Sequence, residues 1–236
     1  MSKKSETSFA SRIARAEKFY QHLMTFEDFA PGEDDLTPAS YRTLIDAIKA
    51  TNTQHGDTQY DFIGEAKERA KVFNSNPDSL AKVATLVKSY TRGKFKRDSH
   101  EFLSVEKLVS KMRGEKPARI NTATSEQTIS QTERSFGAQL VNFEDIVAIV
   151  SGLGTKYVPA NPTIKLTQLE AFSALGNDKN NSVANKFAIF KPLIKKRWDV
   201  FTELEDRSTR IKDMVKSQYS LNSSQYKLVK GLNFSV

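Results

Sequence analysis

Apolar residues recur along this chain at the spacing of a helix stripe, and they do so twice in one order of signals. Phe9, Ile13, Ala16, Tyr20 and Leu23 are separated by 4, 3, 4 and 3 positions. Phe136, Leu140, Phe143, Val147 and Val150 repeat that spacing 127 positions later. Residues three and four apart share one face of an α-helix, so each set is the buried stripe of an amphipathic helix. The spacing points to an all-α chain.

The signals after each stripe also recur. A loop with Pro31 follows the first, and Pro159 follows the second. Thr37-Pro38 reads as an N-cap with a first-turn proline, and Asn161-Pro162 matches it 124 positions on. Phe62 and Phe73 meet Phe187 and Trp198 at an offset of 125. Ser104-Val105-Glu106-Lys107-Leu108-Val109 meets Ser224-Gln225-Tyr226-Lys227-Leu228-Val229 at 120. These matches predict an elongated helical bundle of two diverged tandem copies of one multi-helix unit. The copies are residues 1–114 and 124–236, joined by a linker at 115–123 and packed together as one body.

Within the first copy the pattern predicts helices from about Ser8 to Met24 and from Thr37 to the region Asn52 to Gly56. A third is capped by Asp57 and ends at Asn74 to Asp78, a fourth weakens at Gly93, and a short one runs from Ser104 to Met112. In the second copy one nearly continuous helix is expected from about Ser182 to Tyr219, interrupted only by Pro192.

The chain of 236 residues is long enough to bury a substantial core, and fifteen Phe residues supply much of its apolar area. It contains no Cys, which excludes disulfides, thiolate catalysis and Cys-ligated metal sites. No run approaches 18 apolar residues, so no membrane span is expected. The segment after Met1 is amphipathic and not secretory in character, and the expected location is cytoplasmic.

No motif supports catalysis, a cofactor or a metal. His22, His55 and His100 fall on separate elements and read as surface residues, without the converging groups a base or metal ligand needs. The acidic stretch Glu27-Asp28 and Glu33-Asp34-Asp35 lacks the alternating oxygens of a calcium loop. Gly152-Leu153-Gly154-Thr155-Lys156 follows a helix instead of a strand and reads as a helix stop. Glu144 and Asp145 interrupt the stripe from Phe136 to Leu153, which favours core packing over insertion into a membrane.

The formal net charge is +8, from 36 Lys and Arg against 28 Asp and Glu. Two basic clusters stand out as candidate polyanion-binding residues. One contains Lys88, Arg92, Lys94, Lys96 and Arg97, with Tyr90 and Phe95 among them; the other contains Lys195, Lys196 and Arg197 beside Trp198. Cations interleaved with aromatics can serve phosphates and stacked bases. The function expected from the whole is a non-enzymatic structural or protein-interaction protein that self-assembles through its duplicated units. The alternative is a basic nucleic-acid-associated protein using the Lys82–Arg97 cluster.

Overall fold

The structure, a computed structural model, describes residues 8–114 and 135–235; the linker expected at 115–123 lies outside them. All regular structure among the described residues is helical. Helix α1 (Phe9–Leu23) starts where the Ser8 hydroxyl accepts the backbone N–H of Ser11 at 3.2 Å, satisfying one of the donors a first turn leaves free. The chain then turns through Asp28 and Gly32, both at positive φ, and a single 3-10 turn at Asp34–Leu36. Helix α2 (Pro38–Ala70) begins as expected, with Thr37 accepting the Ser40 N–H at 3.2 Å and Pro38 at the first position.

α2 does not stop at Asn52 to Gly56. It runs for 33 residues and passes into a π-helical turn at Lys71–Ser75. A mid-helix glycine costs only about 1 kcal/mol against alanine. Thr51 and His55 are buried here, one turn and two turns beyond the buried Ile48, so the apolar face continues through the segment. Packing outweighs propensity.

Helix α3 (Leu80–Lys94) is followed by α4 (His100–Arg113), which is longer than expected because Ser99 caps it and accepts the Phe102 N–H at 3.2 Å. Gly114, at φ 68°, stops α4 in the left-handed conformation that glycine adopts without a Cβ penalty. Helix α5 (Phe136–Gly152) is capped by Ser135. Asn161-Pro162 opens a 3-10 turn, Pro162–Ile164, and not the next helix. Helix α6 (Leu166–Tyr219) is a 54-residue helix that includes Pro192, and α7 (Ser224–Val229) is capped by Ser223.

The chain folds as two compact units, one built from both ends of the sequence and one from its middle. One combines residues up to Tyr60 with Ala188 onward; the other is Asp61–Phe187. Each has its own core. In the first unit Ala16, Phe19 and Leu23 of α1 and Tyr41, Ile45 and Ile48 of α2 meet Phe201, Leu204, Ile211 and Val215 of α6, with Val229 and Phe234 closing the end. In the second unit Phe73, Leu80, Val83 and Val87 and α4's Val105, Val109 and Met112 meet Leu140, Phe143, Ile146 and Val150 of α5 and Leu169 of α6. Truncating one of the fully buried Phe residues costs about 3–5 kcal/mol, so these side chains hold each unit closed.

Candidate functional site

Polar and charged groups of chemical interest fall into three places: a cationic corner, a pair of arginine–aromatic stacks, and an acidic loop. The corner links α3 to α4. Arg92, Lys94, Lys96 and Arg97 are exposed there, and none forms an ion pair among the described residues. Three of these cations fall in the last turn of α3 or just beyond it, where they complement the partial negative charge of the helix C-terminus. Lys88 is drawn away from the corner by Glu106, 3.0 Å distant. Lys82 donates to the Ser75 carbonyl at 3.3 Å. Behind the corner, the Tyr90 hydroxyl accepts the Val158 N–H at 3.1 Å and its ring meets Tyr157 edge-on at 5.1 Å. Phe95 is half-buried.

The second sequence cluster is a different object. Lys195 pairs with Asp199 at 2.7 Å one helical turn away, and Lys196 is exposed. The Arg197 guanidinium carbon lies over the Phe9 ring, 3.7 Å from its centroid, and its Nη1 is 3.2 Å from His55 Nδ1. Trp198 meets the edge of Phe9 at 5.6 Å and keeps 47% of its surface exposed. The structure therefore brings together Arg92, Lys94, Lys96 and Arg97, and sets Arg197 half-buried against Phe9.

That stack has a counterpart in the other unit. Arg69 lies 4.3 Å over Phe136, whose ring meets Phe73 at 5.1 Å; Phe9 in turn meets Phe201 at 4.7 Å. The two arginines sit in Arg69-Ala70-Lys71-Val72-Phe73 and Arg197-Trp198-Asp199-Val200-Phe201. Arg and Phe four apart in sequence clamp the first residue of a short helix, Phe136 of α5 or Phe9 of α1, between a cation and a ring. Burial disfavours the charge on both guanidinium groups and holds their pKa below the ordinary value. This pair of stacks went unread in the sequence, although Arg-x-x-Val-Phe occurring twice, 128 positions apart, was a visible signal.

His55 was expected on the surface in a turn, but it is buried within α2, beside Phe190 at 5.1 Å. The unbroken helix places it seven residues after Ile48, on the core face. Burial, then the neighbouring Arg197, lowers its pKa and favours the neutral ring. His22 is half-buried on α1 and His100 is exposed at the start of α4.

In the acidic loop, Asp35 is held by Arg210 at 2.6 Å, and the backbone carbonyls of Glu27 and Asp28 accept from Tyr219 and Gln218. Glu27, Asp28, Glu33 and Asp34 are exposed. Among the described residues no group of three or more His, Asp or Glu side chains converges as metal ligands would. Nor is any helix among them long and apolar enough to cross a membrane. Gly152 ends α5, and Gly154–Lys156 forms a 3-10 turn, so the glycines act as a helix stop. A surface depression of about 470 Å³ is lined by Asp213, Lys216, Ser217, Ser220 and Leu221.

Comparison with protein-family models, curated proteins and solved structures finds no match for this chain.

Proposed function

We propose that this is a non-enzymatic interaction protein made of two diverged copies of one helical unit, whose surfaces serve association of the chain with itself. The observation that carries the reading is a single register of buried positions. At a spacing of 128, Leu36 corresponds to Ile164, Tyr41 to Leu169, His55 to Val183, Phe73 to Phe201, Val83 to Ile211 and Val87 to Val215, and every one of these is buried. At 127, α1 and α5 correspond through Ala16 with Phe143, Phe19 with Ile146 and Leu23 with Val150. The helix caps Ser99 and Ser223 correspond at 124.

A hydrogen bond follows the same register. Ala30 N–H donates to Gln218 Oε1 at 3.2 Å; at the corresponding positions, 128 after Ala30 and 128 before Gln218, Val158 N–H donates to the Tyr90 hydroxyl at 3.1 Å. Amphipathic helices can be aligned by chance at some offset; the offset of 128 shared by α2, α3, a 3-10 turn and a loop bond is what supports the two-copy reading. In this reading the copies are exchanged: the front of each, α1 with the start of α2 or α5 with the start of α6, packs on the back of the other.

Two like units give one chain two like surfaces, which is the arrangement that repeated association needs. The test is solution mass by size exclusion with light scattering at low and high salt, with absorbance at 260 and 280 nm recorded together. A species larger than the 26.6 kDa chain that resists salt and is free of nucleic acid supports the reading. A monomer under both conditions overturns self-association.

The second reading rests on the corner formed by Arg92, Lys94, Lys96 and Arg97, whose exposed, unpaired charges suit a phosphate backbone. It expects retention of nucleic acid that collapses steeply with salt and is lost when Lys94, Lys96 and Arg97 are changed to Glu. Unchanged retention in that variant excludes it.

A further inference from the structure

Neither core belongs to one half of the chain. Residues 8–114 and residues 135–235 each contribute a face to both, so each half separated from the other leaves two apolar stripes uncovered. The halves are therefore partners in a binding sense, and their contact surfaces differ in one place that decides who fits whom.

In the first unit the Tyr41 hydroxyl and Ser208 Oγ share a buried hydrogen bond of 2.7 Å. Both residues are completely buried, and desolvation of the phenol raises its pKa. The positions corresponding to them in the second unit, 128 residues away, are Leu169 and Leu80, also completely buried. A phenol–hydroxyl pair in one core has two leucines of the other core at the corresponding positions. Two turns on, the same complementarity appears in volume. Ile48, fully buried, corresponds to Gly176, which is packed so closely that a Cβ there would lie 2.9 Å from Leu140 Cδ1, 3.2 Å from Leu80 Cδ2 and 3.4 Å from Phe73 Cζ.

We propose that these matched positions make residues 8–114 and 135–235 mutually specific partners, so that each half accepts the other and rejects a second copy of itself. Two copies of the first half would set Tyr41 against Leu80, leaving the phenol without its acceptor, and would force Ile48 into the space that holds Gly176 between Leu80 and Phe73. Two copies of the second half would set Leu169 against Ser208 and Gly176 beside it, an unpaired hydroxyl and a void. Overpacking, cavities and unpaired buried hydroxyls each penalise the wrong pairing while leaving the right one untouched, which is how specificity between similar surfaces is achieved. The correspondences rest on the two-copy reading above; self-association of the intact chain does not enter.

The experiment starts from the full chain, with a protease site inserted between residues 114 and 135, folded and then cleaved. The two fragments are expected to remain together at the mass of the intact protein. After unfolding in urea and refolding as a mixture, native mass spectrometry is expected to show only pairs of one fragment with the other. Fragments that part without denaturant, or like pairs alongside unlike ones, overturn the proposal. A second measurement addresses the residues. In the cleaved protein, Ser208→Leu and Tyr41→Leu singly are expected to weaken fragment association at least about tenfold. The double variant, which reproduces the leucine pair of the second unit, recovers most of that loss. Losses that simply multiply in the double variant show that the two positions do not recognise each other. These outcomes are independent of the intact protein's solution mass, so failure here and failure of self-association are read separately.

Discussion

Substituting Gly176 by Ala sets two well-calibrated effects against each other at one atom. In a helix interior, alanine in place of glycine gains about 1 kcal/mol, because glycine loses more backbone freedom on folding. At Gly176 the added carbon meets Leu140 Cδ1 at 2.9 Å, with Leu80 and Phe73 at 3.2 and 3.4 Å. Leu140 is the end of a flexible side chain, but it is buried, and Leu80 and Phe73 are fully buried on the other sides. It has little space to yield into, and inserting a carbon into such a core costs about 1–3 kcal/mol. The steric cost therefore equals or exceeds the gain, and Gly176→Ala leaves stability unchanged or lowers it by up to about 2 kcal/mol. Gly56 and Gly64 in α2 are the internal controls, since nothing lies within 4 Å of a Cβ built at either. Gly56→Ala and Gly64→Ala are each expected to stabilise by about 1 kcal/mol, or roughly 2–4 °C in Tm for a chain of this size. Thermal and urea unfolding of the three variants under one set of conditions supplies the comparison. If Gly176→Ala stabilises as much as the two controls, the close packing of α6 against Leu80, Phe73 and Leu140 is wrong.

Protonation of His55 is opposed in the folded chain, so the unfolded chain binds that proton more readily. Its contribution to stability is complete above the ordinary histidine pKa of about 6.5 and is lost as pH falls from there towards the lowered folded value. The urea midpoint should drop between pH 7.5 and pH 5.5 by more in the wild type than in His55→Gln; equal drops remove His55 as the cause. Pro192 lies inside α6, where a proline forgoes one hydrogen bond and crowds the preceding turn at a cost of about 3 kcal/mol. Pro192→Ala is expected to raise the unfolding midpoint by up to that amount, and a fall would mean that the proline shapes the helix it occupies. Removing the caps by Ser99→Ala or Ser223→Ala should cost about 1 kcal/mol each, read in chemical unfolding, because each hydroxyl satisfies one first-turn N–H.

Helix class, the short helices α1, α3 and α5, the later turns of α4 and the cap at Thr37 follow from periodicity and local chemistry, which are properties of neighbouring residues. What was not legible depends on residues far apart. Asn52 to Gly56 carries helix-breaking signals, yet Thr51 and His55 supply a core-facing stripe through them, and only the packing partner shows which influence prevails. Asn161-Pro162 reads as a helix start because an Asx cap and a first-turn proline suit a 3-10 turn equally well. The drift of the apparent offset from 127 to 124, 125 and 120 has the same origin. Prolines and shared aromatics give that drift, whereas on the two-copy reading proposed above the positions in one register are buried residues of unlike type, such as Tyr41 with Leu169 and His55 with Val183.

The cationic clusters show why a list of charges underdetermines a surface. Lys195, Lys196 and Arg197 are adjacent in sequence but project at successive steps of 100° around α6. One therefore reaches back to Asp199, one faces solvent and one lies across Phe9. An arginine can take the last role because its guanidinium is flat and weakly hydrated, so it covers an aromatic ring as an apolar group would and keeps its edge for hydrogen bonding. A lysine at that position would present a strongly hydrated point charge to the ring instead. Arg197→Lys should therefore destabilise the first unit by about 1 kcal/mol, comparable to a partly desolvated cation–π contact. Arg69→Lys should do the same in the second unit through Phe136. At the exposed Arg92, whose guanidinium covers no ring, Arg92→Lys should leave chemical unfolding unchanged within about 0.5 kcal/mol. Equal losses at all three positions would mean that net charge, and not the planar stack, is what these arginines contribute.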